Sequence, residues 1–292
     1  MSRVDMRKST PQILVIGGMN MDILGTSAVP YTPGDSLPGA IQHRPGGVAR
    51  NIAAFLRTLG ARVELLCPLG NDALANQLRT ACSKLGIGLR YAVQTSESTP
   101  TYLAIHDDEG EVVCAINDMR AMAWLKPDTL AEHIPHLNTF DACVLDANLT
   151  GETLVYLAER LIIPMIADPV SAVKSTRLLP ILKKLCAIKP NLLEAQALTG
   201  QQDVSDAAAH LLNQGVKQVF ISLGKEGLYY ADAHKQGKFA ATLFPGVAKT
   251  GAGDAMTAGL AVGIAQGLSI IDIAEKGIQA SAIFLESTRK VD

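Results

Sequence analysis

The chain has 292 residues, 48% of them hydrophobic and 18% charged, with a formal net charge of −2. That apolar content supports a large buried core and excludes disorder as the general state, and the length suits one large α/β domain or two smaller ones. Lys and Arg are spread along the chain without a basic block, and aromatics are only 4%, so nucleic acid is not expected as the main partner. Five cysteines (Cys67, Cys82, Cys114, Cys143 and Cys186) are scattered and lack C-x-x-C spacing. Most lie in apolar runs and read as small core residues in a reducing compartment, not as a zinc site. His133 and His136 read as a surface pair. The opening is basic, but the apolar run 13–16 is too short for a secretory signal, so a cytoplasmic location is expected.

Residues 12–18 are a short β-branched run ending in Gly-Gly, the pattern of a buried strand opening onto a loop. Residues 23–42 are broken by Pro30, Pro33, Gly34, Pro38 and Gly39 and read as exposed strands and turns. After Pro45-Gly46-Gly47, apolar residues recur at helical spacing from Val48 to Leu59, closed by Gly60. Residues 63–67 predict a strand. Leu74, Leu78, Cys82 and Leu85 predict an amphipathic helix closed by Gly86. Residues 101–106 and 112–116 are two strands around Asp107-Asp108-Glu109-Gly110, a hairpin turn; with 23–42 they would form a small separate sheet.

From there strand and helix alternate. Strand 142–146, a helix from Gly151, strand 162–168 and a helix from about Val173 come first. Strand 187–189, helix 191–199, strand 216–223, a strand pair within 227–243 and two final helices follow. Repeated β-then-α units imply a parallel sheet with helices on both faces. The apolar stretch 255–271 carries Gln266 and three glycines and reads as a buried helix plus a connection, not a membrane span. No repeat or low-complexity linker divides the chain, so the small sheet is expected as an insertion in a single unit.

Ligands of open α/β sheets bind beyond the carboxyl ends of the strands. The polar residues at those ends are Asn20, Asp22, Asn148, Asp168, Asn191, Glu194 and Ser222 with Gly224. For a single strand-end Asp or Asn, capping the next helix is the more common role; several polar strand ends together are the stronger sign. The run Lys249-Thr250-Gly251-Ala252-Gly253-Asp254 opens the apolar helix. Gly251 and Gly253 let backbone N–H groups approach a ligand, and the helix N-terminus favours an anion. An acid there would repel an anion, but makes sense as a base taking a hydroxyl proton during phosphoryl transfer. The competing reading is a glycine-rich turn with Asp254 as N-cap. There is no Walker A sequence and no H-R-D loop.

These segments together resemble the ribokinase-like (PfkB-type) carbohydrate and nucleoside kinases over nearly the whole chain. Pro45-Gly46-Gly47-Val48-Ala49-Arg50-Asn51 is similar to their first signature and KTGAGDAMTAG to their second. Lys189-Pro190-Asn191-Leu192-Leu193-Glu194 carries their N-x-x-E motif, and Ser222-Leu223-Gly224-Lys225-Glu226-Gly227 resembles their nucleotide-contact strand. The resemblance implies a three-layer α/β/α fold, residues 1–292, with a mainly parallel sheet and a β lid from roughly 20–45 and 99–118. Asn20-Met21-Asp22, Asp35-Ser36, Ala115-Ile116-Asn117-Asp118-Met119 and Asp168-Pro169-Val170-Ser171-Ala172 narrow the likeness to the family's pseudouridine-phosphorylating members.

The resemblance implies ATP-dependent phosphorylation of a nucleoside 5′-hydroxyl. Asp254 would be the general base and Gly251, Ala252 and Gly253 the anion hole. Asn20, Asp22, Gly46, Gly47, Asn51, Asn148 and Asp168 would bind the substrate, with Asn117 and Asp118 reading the extra N–H of a carbon-linked uracil. Asn191, Glu194, Ser222, Gly224, Gly227 and Thr250 would lie along ATP, with Glu194 near Mg²⁺, through water where it does not ligate directly. Many members carry an acid two residues before the threonine of the second signature. Here Ala248 stands there, followed by Lys249, which leaves potassium activation open. Asn148 stands where ribokinases often have Glu, consistent with a substrate other than free ribose. Kinases of other nucleosides or sugars (adenosine, inosine, ribose) are the alternative, and a non-catalytic sensor is a further one. A homodimer through the lid sheet is expected, with no membrane partner, the lid closing over substrate to exclude water.

Overall fold

The computed structural model describes residues 10–242, 244 and 250–289, the side chain of residue 289 excepted. In chain order the first half runs β1 (Gln12–Ile16), β2 (Asn20–Ser27), β3 (Gly39–Gly46), α1 (Val48–Thr58), β4 (Arg62–Leu66), β5 (Pro68–Leu69), α2 (Ala73–Lys84), β6 (Val93–Gln94), β7 (Thr101–His106) and β8 (Val112–Asp118). Short helices α3 (Pro127–Leu130) and α4 (Ile134–Leu137) lead to β9 (Ala142–Asp146), α5 (Gly151–Arg160), β10 (Met165–Asp168), α6 (Ala172–Ser175) and β11 (Ala187–Ile188). The chain then forms α7 (Leu192–Thr199), α8 (Val204–Asn213), β12 (Gln218–Ser222), β13 (Leu228–Asp232), β14 (Gln236–Phe239), α9 (Ala252–Ala265) and α10 (Ile270–Arg289).

The large sheet has eight strands in the order β14-β13-β12-β11-β10-β9-β1-β4. Pairings from β12 through β4 are parallel, while β13 and β14 add an antiparallel edge. Strand β1 explains the layers. Its side chains alternate, so Ile13 and Val15 join the core beneath α1 and α9, with Ile52, Leu56 and Leu260. Leu14 and Ile16 join the opposite core with Leu154 and Leu157 of α5. A strand buried on both faces carries an unbroken apolar run, as β1 and β9 do.

The second sheet has four strands in the order β3-β2-β7-β8. Its register decides what each face presents. Asp22 pairs with Arg44 on one side and Tyr102 on the other, and Tyr102 pairs with Asn117. These four residues form one row on one face, with Asn117 about 10 Å from Asp22 at the usual strand spacing. The next row, on the opposite face, is Ile116, Leu103, Ile23 and His43.

Several sequence expectations need correction. Strand 162–168 begins only at Met165, because Pro164 precedes it and Ile162 is 86% exposed. The helix near Val173 is one α-helical turn that continues as a 3₁₀ helix over Thr176–Lys184, which contains Pro180. Helix α8 was not expected, although Asp203 caps it by accepting from the N–H groups of Ser205 and Asp206. The strand pair ends at Phe239, and Leu243 lies outside the described residues. Helix α9 is buried from Ala255 to Ile264, and no helix among the described residues is long and apolar enough to cross a membrane.

Candidate active site

The carboxyl ends of β9, β10, β11 and β12 carry Asp146, Asp168, Lys189 and Ser222 in adjacent strands; Asp168 and Lys189 lie against the first turns of α9, and Asp146 against the start of α1. Helix α9 has Gly251 as its N-cap, with φ 98° and no side-chain capping bond. A side chain at that left-handed position would be strained, so the glycine sets the turn. Asp254 is therefore not the cap. Its partly buried carboxylate faces helix α1, where the Asn51 amide donates to Asp254 Oδ2 at 3.0 Å. Burial first, then the charge of Asp168, pushes the Asp254 carboxyl up to about 7; the Asn51 bond and the Lys189 ammonium oppose the rise. The N-terminal amides of α9 beside it suit an anion.

Helix α1 starts one residue after β3 through Gly46-Gly47. A Cβ on Gly46 would collide with the Asp22 carboxylate, so glycine is what lets the strand lie against that acid. Asn20, itself buried, donates to Asp22 Oδ1 at 2.6 Å and so orients it. Burial raises the Asp22 pKa, against the pull of Asn20, Arg50 and Arg44. Arg50 carries a buried Nε with no hydrogen-bond partner.

Asp146, fully buried, ties three segments together. Its Oδ2 accepts from the N–H groups of Gly18 and Ala49 and from the Asn148 amide; its Oδ1 accepts from the Asn148 N–H. Desolvation still pushes its carboxyl up to about 6. Asn148 in turn accepts from Lys174 Nζ at 2.7 Å. Asn148, Lys174, Arg177, Thr150 and Asn117 line a cavity of about 360 Å³ under the edge of the second sheet. Asp118 alternates to the other face of β8 and pairs with Arg120 at 2.7 Å. Asn117 lines this cavity directly, and Asp118 holds Arg120, which lines it too.

Asp168 is buried. Its Oδ2 accepts from the Thr257 hydroxyl at 2.8 Å and pairs with Lys189 Nζ at 3.6 Å. On the far side of Lys189, a cleft of about 450 Å³ is lined by Ser222, Gly224, Lys225, Gly227, Ala252 and Gly253, with Met256 and Ile278 as apolar walls. Its glycine floor and apolar sides fit a planar heterocycle with phosphates led toward α9. Asn191 is exposed and caps α7: it accepts from the Glu194 N–H at 2.9 Å while Glu194 Oε2 accepts from the Asn191 N–H at 2.8 Å. This capping box realises the structural reading of the pair. Glu194 is buried, not exposed as a first-turn acid would ordinarily be, and burial raises its pKa. No cluster of three or more His, Cys, Asp or Glu side chains among the described residues could hold a metal ion. Mg²⁺ binds through waters and phosphates with one or two carboxylates, and Glu194 is the carboxylate that the Asn191–Glu194 pair would offer it. Thr250 is exposed beside the α9 turn, and Ala248 and Lys249 lie outside the described residues.

Sequence reasoning passed over Asp146, Lys174, Lys189 and Thr257. Lys189 and Thr257 lie inside two of the quoted motifs without having been given a role; the signal available was a charge closing an apolar strand for Asp146 and Lys189 and a hydroxyl inside an apolar helix for Thr257, and Lys174 carried none.

A family model described as pfkB family carbohydrate kinase matches residues 10–290. The pseudouridine kinase of Escherichia coli (strain K12) is 33% identical over 96% of this chain and 93% of its own length. The pseudouridine kinase of Arabidopsis thaliana is 28% identical over 73% of this chain and 63% of its own. The crystal structure of ribokinase from Thermotoga maritima superposes with a TM-score of 0.84 at 26% identity, covering 95% of this chain and 93% of that one. The chain therefore belongs to the pfkB family of carbohydrate kinases, a ribokinase-like ATP-dependent sugar or nucleoside kinase.

Proposed function

We propose that the protein phosphorylates the 5′-hydroxyl of pseudouridine. The observation that supports this reading is the Asn51–Asp254 contact, which ties the helix after the Asp22–Arg44 strand pair to the helix whose Ala252 and Gly253 line the 450 Å³ cleft, where Asp254 would act as base. ATP would lie in the cleft along Ser222, Gly224, Gly227 and Thr250. Asp22, oriented by Asn20, accepts from ribose hydroxyls. The acceptor oxygen then meets Asp254, which takes its proton, while the amides at Gly251–Gly253 hold the transferring group. Mg²⁺ near Glu194 and Asn191 would neutralise phosphate charge.

The second cavity supports a nucleoside over a free sugar, because ribose would leave it unfilled. Its amides and ammonium suit a ring rich in carbonyls, and the two relatives named for pseudouridine agree with that choice. Asn117 would read the N–H that a carbon-linked uracil exposes. Asn117→Ala is expected to reduce the preference for pseudouridine over uridine about tenfold, the worth of one hydrogen bond. An unchanged ratio of kcat/KM values removes Asn117 from recognition.

The same sheet supports a homodimer. Its other face exposes Ile41 by 74% on one edge strand and Ile116 by 60% on the other. A face of that kind over a four-stranded sheet is commonly covered by a partner. Sedimentation equilibrium is expected to give a dimer, and Ile116→Asp a monomer; a monomeric wild type overturns this assembly.

The position of transfer is tested on the product. Phosphorus coupling to the two H5′ protons in NMR is expected; phosphate on O2′ or O3′ contradicts the placement of Asp254.

A further inference from the structure

Val170 is the one non-glycine residue with a positive φ, 66°, among the described residues. A β-branched side chain is disfavoured there by contact with its own backbone, and such positions persist where the surrounding structure imposes them. The neighbouring bonds show how it is imposed here. The Val170 N–H donates to Asp168 Oδ1 at 3.0 Å, and the Ser171 N–H donates to the Pro169 carbonyl at 2.7 Å. The second bond closes a three-residue turn around Val170, and a turn of this size with positive φ at its centre is the rare, strained form. The Val170 side chain is half-buried against the core on the α5 face.

The turn joins two parts of the site. On one side is Asp168, whose Oδ2 is held by Thr257 and Lys189. On the other, Ser171 caps α6 by accepting from the Lys174 N–H. Helix α6 has four residues, a single turn whose direction follows from the segment that enters it. Lys174 Nζ then reaches Asn148 Oδ1 at 2.7 Å. Arg177, just beyond, donates from one nitrogen to the carbonyls of Ala147, Asn148 and Leu149. Both side chains line the second cavity. The direction in which the chain leaves Val170 thus decides whether the Lys174 ammonium stands at that cavity.

We propose that Val170 is a positioning residue: its left-handed turn aims α6 so that Lys174 meets Asn148 at the second cavity, and so sets the preference for an acceptor that carries a ring there. The preference rests on the acceptor reading above. The side chain pins the turn by packing, and the backbone angle supplies the direction. Substitution separates the two contributions. Glycine adopts the angle without strain but packs nothing. Alanine brings back the Cβ clash without the packing that overcomes it.

The test compares Val170→Gly with Val170→Ala. Where the angle matters, the smaller residue is the better substitute. Val170→Ala is expected to lose about tenfold in the ratio of kcat/KM for pseudouridine to that for ribose, the worth of one hydrogen bond, and Val170→Gly to keep most of that ratio. Asp168 stays in place in both, because its other oxygen is held independently. Val170→Gly is also expected to melt above Val170→Ala, the reverse of the order at positions of negative φ. A further readout needs no turnover: the rate at which an amine-acylating reagent labels Lys174, followed by peptide mass spectrometry. Labelling should quicken in Val170→Ala, where Lys174 leaves Asn148, and stay near the wild-type rate in Val170→Gly. Lys174 labelled in Val170→Ala no faster than in Val170→Gly would make Val170 a packing residue only and overturn the proposal. Equal losses with ribose and pseudouridine would overturn its role in preference. Should Val170→Ala not fold, Val170→Asn against Val170→Ser makes the same comparison, since asparagine enters the left-handed region more readily. Absence of turnover with pseudouridine in the wild type would refute the acceptor assignment, and the labelling of Lys174 would still decide whether the turn aims α6.

Discussion

Asp254→Asn is expected to lower kcat about 10²–10⁴-fold, the contribution of a positioned general base, with little change in KM for either substrate. Asparagine keeps the shape and a contact to Asn51 but accepts no proton. Because burial and the neighbouring Asp168 charge hold the Asp254 carboxyl at about 7, the wild-type enzyme should show the matching pH profile. The base works only when ionised, so kcat/KM should climb about tenfold per pH unit below that value and level off above it. The same argument gives a stability result of opposite sign. At pH 8 the folded wild type carries a charge that burial disfavours, and the neutral variant does not. Asp254→Asn should therefore melt at or above the wild-type temperature while being nearly inactive. Near-normal kcat, or a pH-independent kcat/KM between 5 and 8, would show that Asp254 is not the base.

Asp146→Ala carries the largest expected loss of stability, about 3–5 kcal/mol by urea denaturation. The carboxylate accepts from four donors, the N–H groups of Gly18, Ala49 and Asn148 and the Asn148 amide. Each buried donor left without an acceptor costs about 1–3 kcal/mol, partly relieved by entering water. The loss is not confined to folding. Gly18 lies in the turn between β1 and β2, Ala49 in the first turn of the helix that carries Asn51, and Asn148 beside Lys174. Removing Asp146 frees all three, so kcat/KM should fall in the variant even at temperatures where it remains folded. A change under 1 kcal/mol would mean that these segments are held by their backbone packing alone.

The two acids differ in how far their roles can be read from the chain alone. Asp254 was legible because its signal is local: two glycines and an acid within four residues at the head of an apolar helix state their own geometry. The paired Gly46-Gly47 before α1 was legible for the same reason. What the chain order hid was who meets whom. Asn51 and Asp254 are 203 residues apart, and Gly18 and Asp146 are 128 apart. Their contacts exist only because the strand order sets β9 beside β1 and packs α1 against α9. Lys189 was hidden by the same crossing of strands, since nothing in Lys-Pro-Asn says that it will be buried beneath another helix. For Asn117 and Asp118 the missing fact was register. One residue separates Asn117, whose own side chain lines the second cavity, from Asp118, which pairs with the Arg120 that also lines it. Helix α8 was legible in principle through Asp203 and the apolar positions after it.

On the proposed reading, this fold phosphorylates a nucleoside whose ring fills the cavity beside Asn148 and Lys174. The most direct measurement is kcat/KM from ADP release, with Mg²⁺ and ATP, for pseudouridine, uridine, adenosine, inosine and ribose on one enzyme preparation. Pseudouridine is expected to exceed every other acceptor by at least about tenfold, the worth of one well-placed hydrogen bond. Ribose or a purine nucleoside as the best acceptor, or no acceptor-dependent ADP release with any of the five, would contradict it.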